Sequence, residues 1–172
     1  MINLLTKKVK IEKVLNNTVK IFGKEISIKV IYTRIKNPEL DLVGNIINVY
    51  LPNKYKKTGN IEIVKLAIDK MYDEIARIEI EEIMEETRIM LNGLAPENYE
   101  IKRISGKLAK TLKNKTIIIN PEIVKYDKQV LRYIVLREFC HLKYRTNSTK
   151  YFEMLGKYMA NYGDYEYMLN VA

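Results

Sequence analysis

The chain has no tryptophan, one cysteine and one histidine in 172 residues. A single cysteine excludes an internal disulfide framework. A single histidine leaves any metal centre with one imidazole. It also leaves no convincing Ser-His-Asp or Cys-His arrangement. No run of about 18 uncharged apolar residues exists, so a membrane-spanning helix is not expected. The segment Met1–Lys8 holds no sustained apolar stretch either, so no secretory signal is expected and the chain reads as cytoplasmic. Proline and glycine are scarce, at four and seven. No low-complexity segment or internal repeat is visible.

Acidic residues are the minority, and the formal net charge is +9. The excess is uneven. Residues 1–60 carry twelve Lys/Arg against four Asp/Glu, whereas residues 61–91 carry four against nine. Such a balance permits a polyanionic partner, nucleic acid among them, or simply a solvated lysine-rich surface. The clusters Lys54-Lys56-Lys57 and Lys107-Lys110-Lys113-Lys115 lack the arginine and glycine pattern of a nucleic-acid motif.

Apolar alternation predicts strands at Thr18–Phe22, at Glu25–Ile35 and at Ile46–Leu51, with Leu40 and Leu42 leading into the last. A small antiparallel N-terminal sheet is the simplest assembly of these, with a hairpin turn around Gly44. Residues 61 to about 91 carry Val64, Ile68, Met71, Ile75 and Ile78 at helical spacing. Asn92-Gly93 should end that helix. Its Glu81, Glu82, Glu85 and Glu86 read as a solvated face rather than a carboxylate metal site. Two further strands are predicted, Tyr99–Ile104 and Thr116–Asn120. A helix capped by Asp127 follows to about Tyr144, then one from Ser148 to Tyr162, then a short tail. The expected class is α+β. A β-rich subdomain covers 1–60 and the remaining elements cover 61–172.

The stretch with chemical content is Arg137-Glu138-Phe139-Cys140-His141. The zinc-protease pattern H-E-x-x-H puts two imidazoles one helical turn apart on one metal and a glutamate beside them to activate water. Here glutamate and the second histidine stand, and arginine occupies the first histidine's place. Cys140, on an apolar helix, reads as an inert buried thiol.

From Asn120 to Leu169 the chain resembles the YgjP-like metallopeptidases, a family of the zincin clan related in fold to SprT-like proteases. The resemblance rests on Ile119-Asn120-Pro121, on Leu131–Lys143 with the motif above, on Thr146-Asn147-Ser148, and on Tyr151-Phe152, Lys157-Tyr158-Met159 and Asp164-Tyr165. It implies a zincin-like fold: an N-terminal sheet, a long central helix, a second sheet, the motif helix and C-terminal helices. It places Glu138 at the general-base position and His141 at a zinc-ligand position. Arg137 and Asn147 then occupy the other two ligand positions. A guanidinium has no lone pair to donate and does not deprotonate in proteins. Held about 4 Å from a dication it costs several kcal/mol even at an effective dielectric near 20. Asn147 offers only a neutral amide oxygen, which suits harder ions than zinc. The resemblance therefore implies a peptidase scaffold without its zinc, in which the Arg137 head group takes the metal's place against Glu138 or another carboxylate. Three functions follow. The first is a lapsed peptidase that binds a peptide or protein in the old substrate cleft. The second is an active zinc peptidase with an atypical site, and the third a nucleic-acid-associated basic protein. No membrane partner is expected.

Overall fold

The computed structural model describes residues 18–56 and 61–171. Met1–Lys8 and Lys57 lie outside the described residues. The chain packs as two compact units, Met1–Met71 and Tyr72–Ala172.

In the first unit, β1 (Thr18–Ile21) and β2 (Lys24–Thr33) form a hairpin, as do β3 (Glu39–Val43) and β4 (Ile46–Pro52). Phe22 and Gly23 both take positive φ, 49° and 78°, in the two-residue turn between β1 and β2. That is the geometry whose twist matches the flanking strands. The expected all-antiparallel sheet is not what forms. The order is β1-β2-β4-β3, and β2 pairs β4 in parallel from Ser27↔Ile46 to Thr33↔Pro52. The reason is burial. Ile26, Ile28 and Val30 on β2 and Ile47, Val49 and Leu51 on β4 are most of the buried residues of the two hairpins, with Ile21, Ile31 and Pro52 the others. Joining the hairpins through these inner strands concentrates that apolar face at the sheet centre. It leaves the polar β1 and the exposed Leu42 and Val43 of β3 at the edges.

The long helix α1 spans Ile61–Met90. It ends as expected, with Asn92 and Gly93 at positive φ and the Gly93 N–H donating to Arg88 O at 2.8 Å. Its buried stripe is Val64, Ile68, Tyr72, Ala76, Ile80, Ile83 and Thr87. Ile78, expected inside, is exposed. The stripe passes through tyrosine, alanine and threonine, whose apolar signal is weak in sequence. The four glutamates are all on the exposed face, Glu85 bonded to Arg88 and Glu86 to Arg132.

The second unit holds a three-stranded sheet, order β5-β7-β6, from β5 (Asn98–Ile101), β6 (Ala109–Thr111) and β7 (Thr116–Ile119). β5 runs parallel and β6 antiparallel to β7. The central strand Thr-Ile-Ile-Ile is wholly buried, and each isoleucine contributes roughly 1.5–3 kcal/mol. Asn120 closes it. Its Oδ1 accepts the Glu122 N–H at 3.1 Å, capping a short 3-10 turn, while its Nδ2 donates to Ile104 O and Lys107 O. Helix α2 (Lys128–Lys143) starts at the Asp127 cap, whose Oδ1 accepts the Gln129 N–H at 2.8 Å. Helix α3 (Thr149–Tyr158) starts at Ser148 and stops earlier than expected, and the expected tail is a fourth helix, α4 (Tyr162–Val171). No helix among the described residues is long and apolar enough to cross a membrane.

Candidate functional site

The site lies on α2. Nine residues of that helix are buried, from Val130 through Cys140, so its orientation is fixed by packing. Cys140 is among them, with its thiol pushed up to about 12 by burial. A thiol with that environment is neither nucleophile nor ready ligand. Its raised value also sets a pH response. Below pH 9, the ordinary value, folded and unfolded thiols are both protonated and the contribution to stability is complete. As pH rises toward 12 the unfolded chain ionises first, so stability falls. Urea midpoints are expected to drop between pH 8.5 and about 11, and to drop less in Cys140→Ala. Equal slopes in the two proteins would show that the thiol takes no part.

One turn of α2 presents Arg137, Glu138 and His141 to a cleft of about 670 Å³. Glu138 is buried, its side chain 4% exposed, and that of Arg137 is 27% exposed. The Glu138 carboxylate accepts two hydrogen bonds. Thr111 Oγ1 donates to Oε2 at 2.8 Å, and Arg137 Nη2 donates to Oε1 at 3.3 Å. The guanidinium carbon also stands 5.8 Å from the centre of the Tyr133 ring. Burial raises the Tyr133 hydroxyl above its ordinary value, and the neighbouring Arg137 cation opposes that rise.

His141 is held on two sides. Its Nδ1 lies 3.1 Å from Tyr144 O, and a carbonyl only accepts, so Nδ1 carries the proton in this bond. In the neutral ring Nε2 is then the nitrogen that carries the lone pair. The ring stacks on Tyr151, centroids 4.6 Å apart and planes 24° from parallel. Tyr151 is itself buried, which raises its hydroxyl well above the usual range. Asn147, exposed in the link between α2 and α3, lines the same cleft.

The structure thus gathers all four residues singled out in sequence. It adds three that were not. Thr111 sits on β6, a three-residue strand with no apolar alternation, so no local signal marked the strand or its contact with Glu138. Tyr151 has no counterpart in the zinc-site pattern that would single it out. Glu166 reaches the cleft from α4, where the sequence predicts only a short tail.

The donors do not fit a catalytic zinc. Such a site takes three protein ligands and keeps a fourth position for water. His141 Nε2 is one. The Glu138 carboxylate is occupied by Thr111 and Arg137, and the second of these is a permanent cation. Among the described residues no three His, Cys, Asp or Glu side chains converge.

A mixed sheet with edge strand β6, and beneath it a helix carrying glutamate and histidine toward a cleft, defines a zincin-like metallopeptidase fold. The family model for the YgjP-like metallopeptidase domain matches residues 2–172, and the chain belongs to that family. Among solved structures it is similar to the metallopeptidase zymogen jannalysin of Methanocaldococcus jannaschii. Identity there is 30% over 52% of this chain and 92% of that one, with a TM-score of 0.47. The zymogen abylysin of Pyrococcus abyssi is 23% identical over 45% of this chain and 77% of that one, with a TM-score of 0.42. A search of curated proteins gave no significant match.

Proposed function

We propose that this chain is a zinc-free member of its family that binds an extended peptide in the cleft beside β6. The observation that carries the reading is the Arg137–Glu138 contact. It sets a permanent cation against the carboxylate that would activate water, at a position that would otherwise supply a lone pair. What loss of zinc leaves intact is the sheet edge. In the β6–β7 ladder, Leu112 N–H donates to Thr116 O and Asn120 N–H donates to Leu108 O. Residues 108, 110 and 112 therefore turn their backbone groups toward β7. Those of Ala109 and Thr111 turn away from β7; Ala109 is 3% exposed, so an added strand would pair at the half-buried Thr111.

Protein purified without chelator is expected to hold less than about 0.2 zinc per chain, since a metal lacking its ligands gains little of the binding energy of a closed site. Adding a peptide should slow amide exchange at Thr111. A second reading, a peptidase with an atypical site, is favoured by His141 alone, whose Nδ1 bond aims Nε2 as a ligand would be aimed. Stoichiometric zinc together with peptide hydrolysis abolished by Glu138→Gln would establish that second reading instead.

A further inference from the structure

The cleft is strongly cationic. Among the described residues Lys107, Lys110, Lys113, Lys115, Arg137 and Arg145 line it, against Glu138 and Glu166 alone. Two of the six cations are engaged. Arg137 is on Glu138, and Arg145 reaches a backbone carbonyl, Lys113 O, at 3.5 Å. Among the described residues none of the four lysines is in an ion pair, although elsewhere in the same unit Lys102, Lys125 and Lys128 each have a carboxylate partner. The lysines flank β6 on both sides, on 107–115, so the unpaired charge lies beside the outward backbone groups of the half-buried Thr111.

From this juxtaposition we infer that the partner is an acidic extended peptide, its main chain added to β6 and its Asp or Glu side chains set against the lysines. The inference rests on the peptide-binding reading and names the chemistry of the peptide. Two physical points favour a peptide over a nucleic acid. Single strands are held in grooves by bases stacked on exposed aromatic rings. Among the described residues the aromatic rings lining this cleft are those of Tyr151, which is 2% exposed, and of His141, stacked on its face. A peptide, by contrast, uses the outward N–H and C=O groups that a phosphate backbone leaves half unused. Removal of zinc reinforces the preference. A dication at His141 would be a single intense charge at the cleft's centre. The lysines instead spread charge along the strand, at intervals a peptide with repeated carboxylates can meet.

The test is fluorescence anisotropy with three labelled β-prone peptides of equal length, one acidic, one neutral and one basic, and with labelled oligothymidine. The acidic peptide is expected to bind about tenfold more tightly than the neutral one at low salt, a gap that narrows as ionic strength rises. Lys107→Glu combined with Lys113→Glu, both exposed positions, should erase the gap while leaving the far-ultraviolet dichroism unchanged. Equal affinity for acidic and neutral peptides would overturn the charge inference and leave the peptide-binding reading standing. Failure of every peptide to bind would overturn both. Oligothymidine displacing the acidic peptide and binding more tightly would assign the lysines to nucleic acid. An acidic preference that survives the double charge reversal would place the site elsewhere and also sink the inference.

Discussion

Arg137→His combined with Asn147→His is expected to raise bound zinc to about one ion per chain. The substitution returns an imidazole to each of the two positions at which the family pattern carries a ligand, beside His141. His141 needs no adjustment, because its Nδ1 is already bound to Tyr144 O and its ring braced by Tyr151. The change also removes the guanidinium whose repulsion of a dication is worth several kcal/mol. Two measurements read the outcome. Elemental analysis should rise toward one zinc per chain. The melting temperature should increase with added zinc, by linkage, with about 4 kcal/mol available at a thousandfold excess over Kd. The parent protein should show neither response. A folded double variant that ignores zinc would mean that Asn147 does not stand at the ligand position.

The second large effect concerns stability. Truncating Arg137 and truncating Glu138 are not equivalent, and their exposures decide which costs more. Glu138→Leu leaves a guanidinium that is already 27% exposed and can turn its head group to water. Thr111 Oγ1 keeps an acceptor, because Glu138 O lies 3.1 Å away and survives the substitution. Arg137→Leu instead leaves a carboxylate 4% exposed with Thr111 as its remaining donor. Breaking a buried pair by removing one partner costs roughly 3–5 kcal/mol, and a partly exposed partner brings the figure down. Arg137→Leu is therefore expected to destabilise by about 2–4 kcal/mol and Glu138→Leu by clearly less. The double variant should recover most of the loss. Urea denaturation of the four proteins checks all three statements, and equal costs for the two single variants would mean that the pair is not an energetic unit.

These expectations show which parts of the molecule its sequence discloses. Asp127, Asn92-Gly93 and the alternating Ile26, Ile28 and Val30 are local signals, and each sits where it was expected. The contacts that define the site are not local. Thr111 meets Glu138 across twenty-six intervening residues, from a strand too short to carry a period. The parallel pairing of β2 with β4 likewise depends on which faces two hairpins must bury together, and neither hairpin alone states it. Alanine and tyrosine in the α1 stripe misled for a third reason: at buried positions packing sets the choice of residue, and hydrophobicity is only part of packing. The motif residues themselves were legible because the helix fixes their spacing. The pairing of Arg137 with a carboxylate was legible too; that Glu138 rather than another carboxylate takes it was not, since it depends on where two side chains point.

The bracing of His141 makes it an internal reporter. It is the sole imidazole of the chain, so its ring protons give isolated lines in a magnetic resonance spectrum. Tyr151, stacked at 4.6 Å, imposes a ring-current shift that separates those lines from a mobile histidine's position. Anything that enters the cleft, whether peptide, metal or oligonucleotide, perturbs one resolved signal at the place where a peptidase would do its chemistry. Occupancy can thus be followed in unlabelled protein, free of competing histidine resonances.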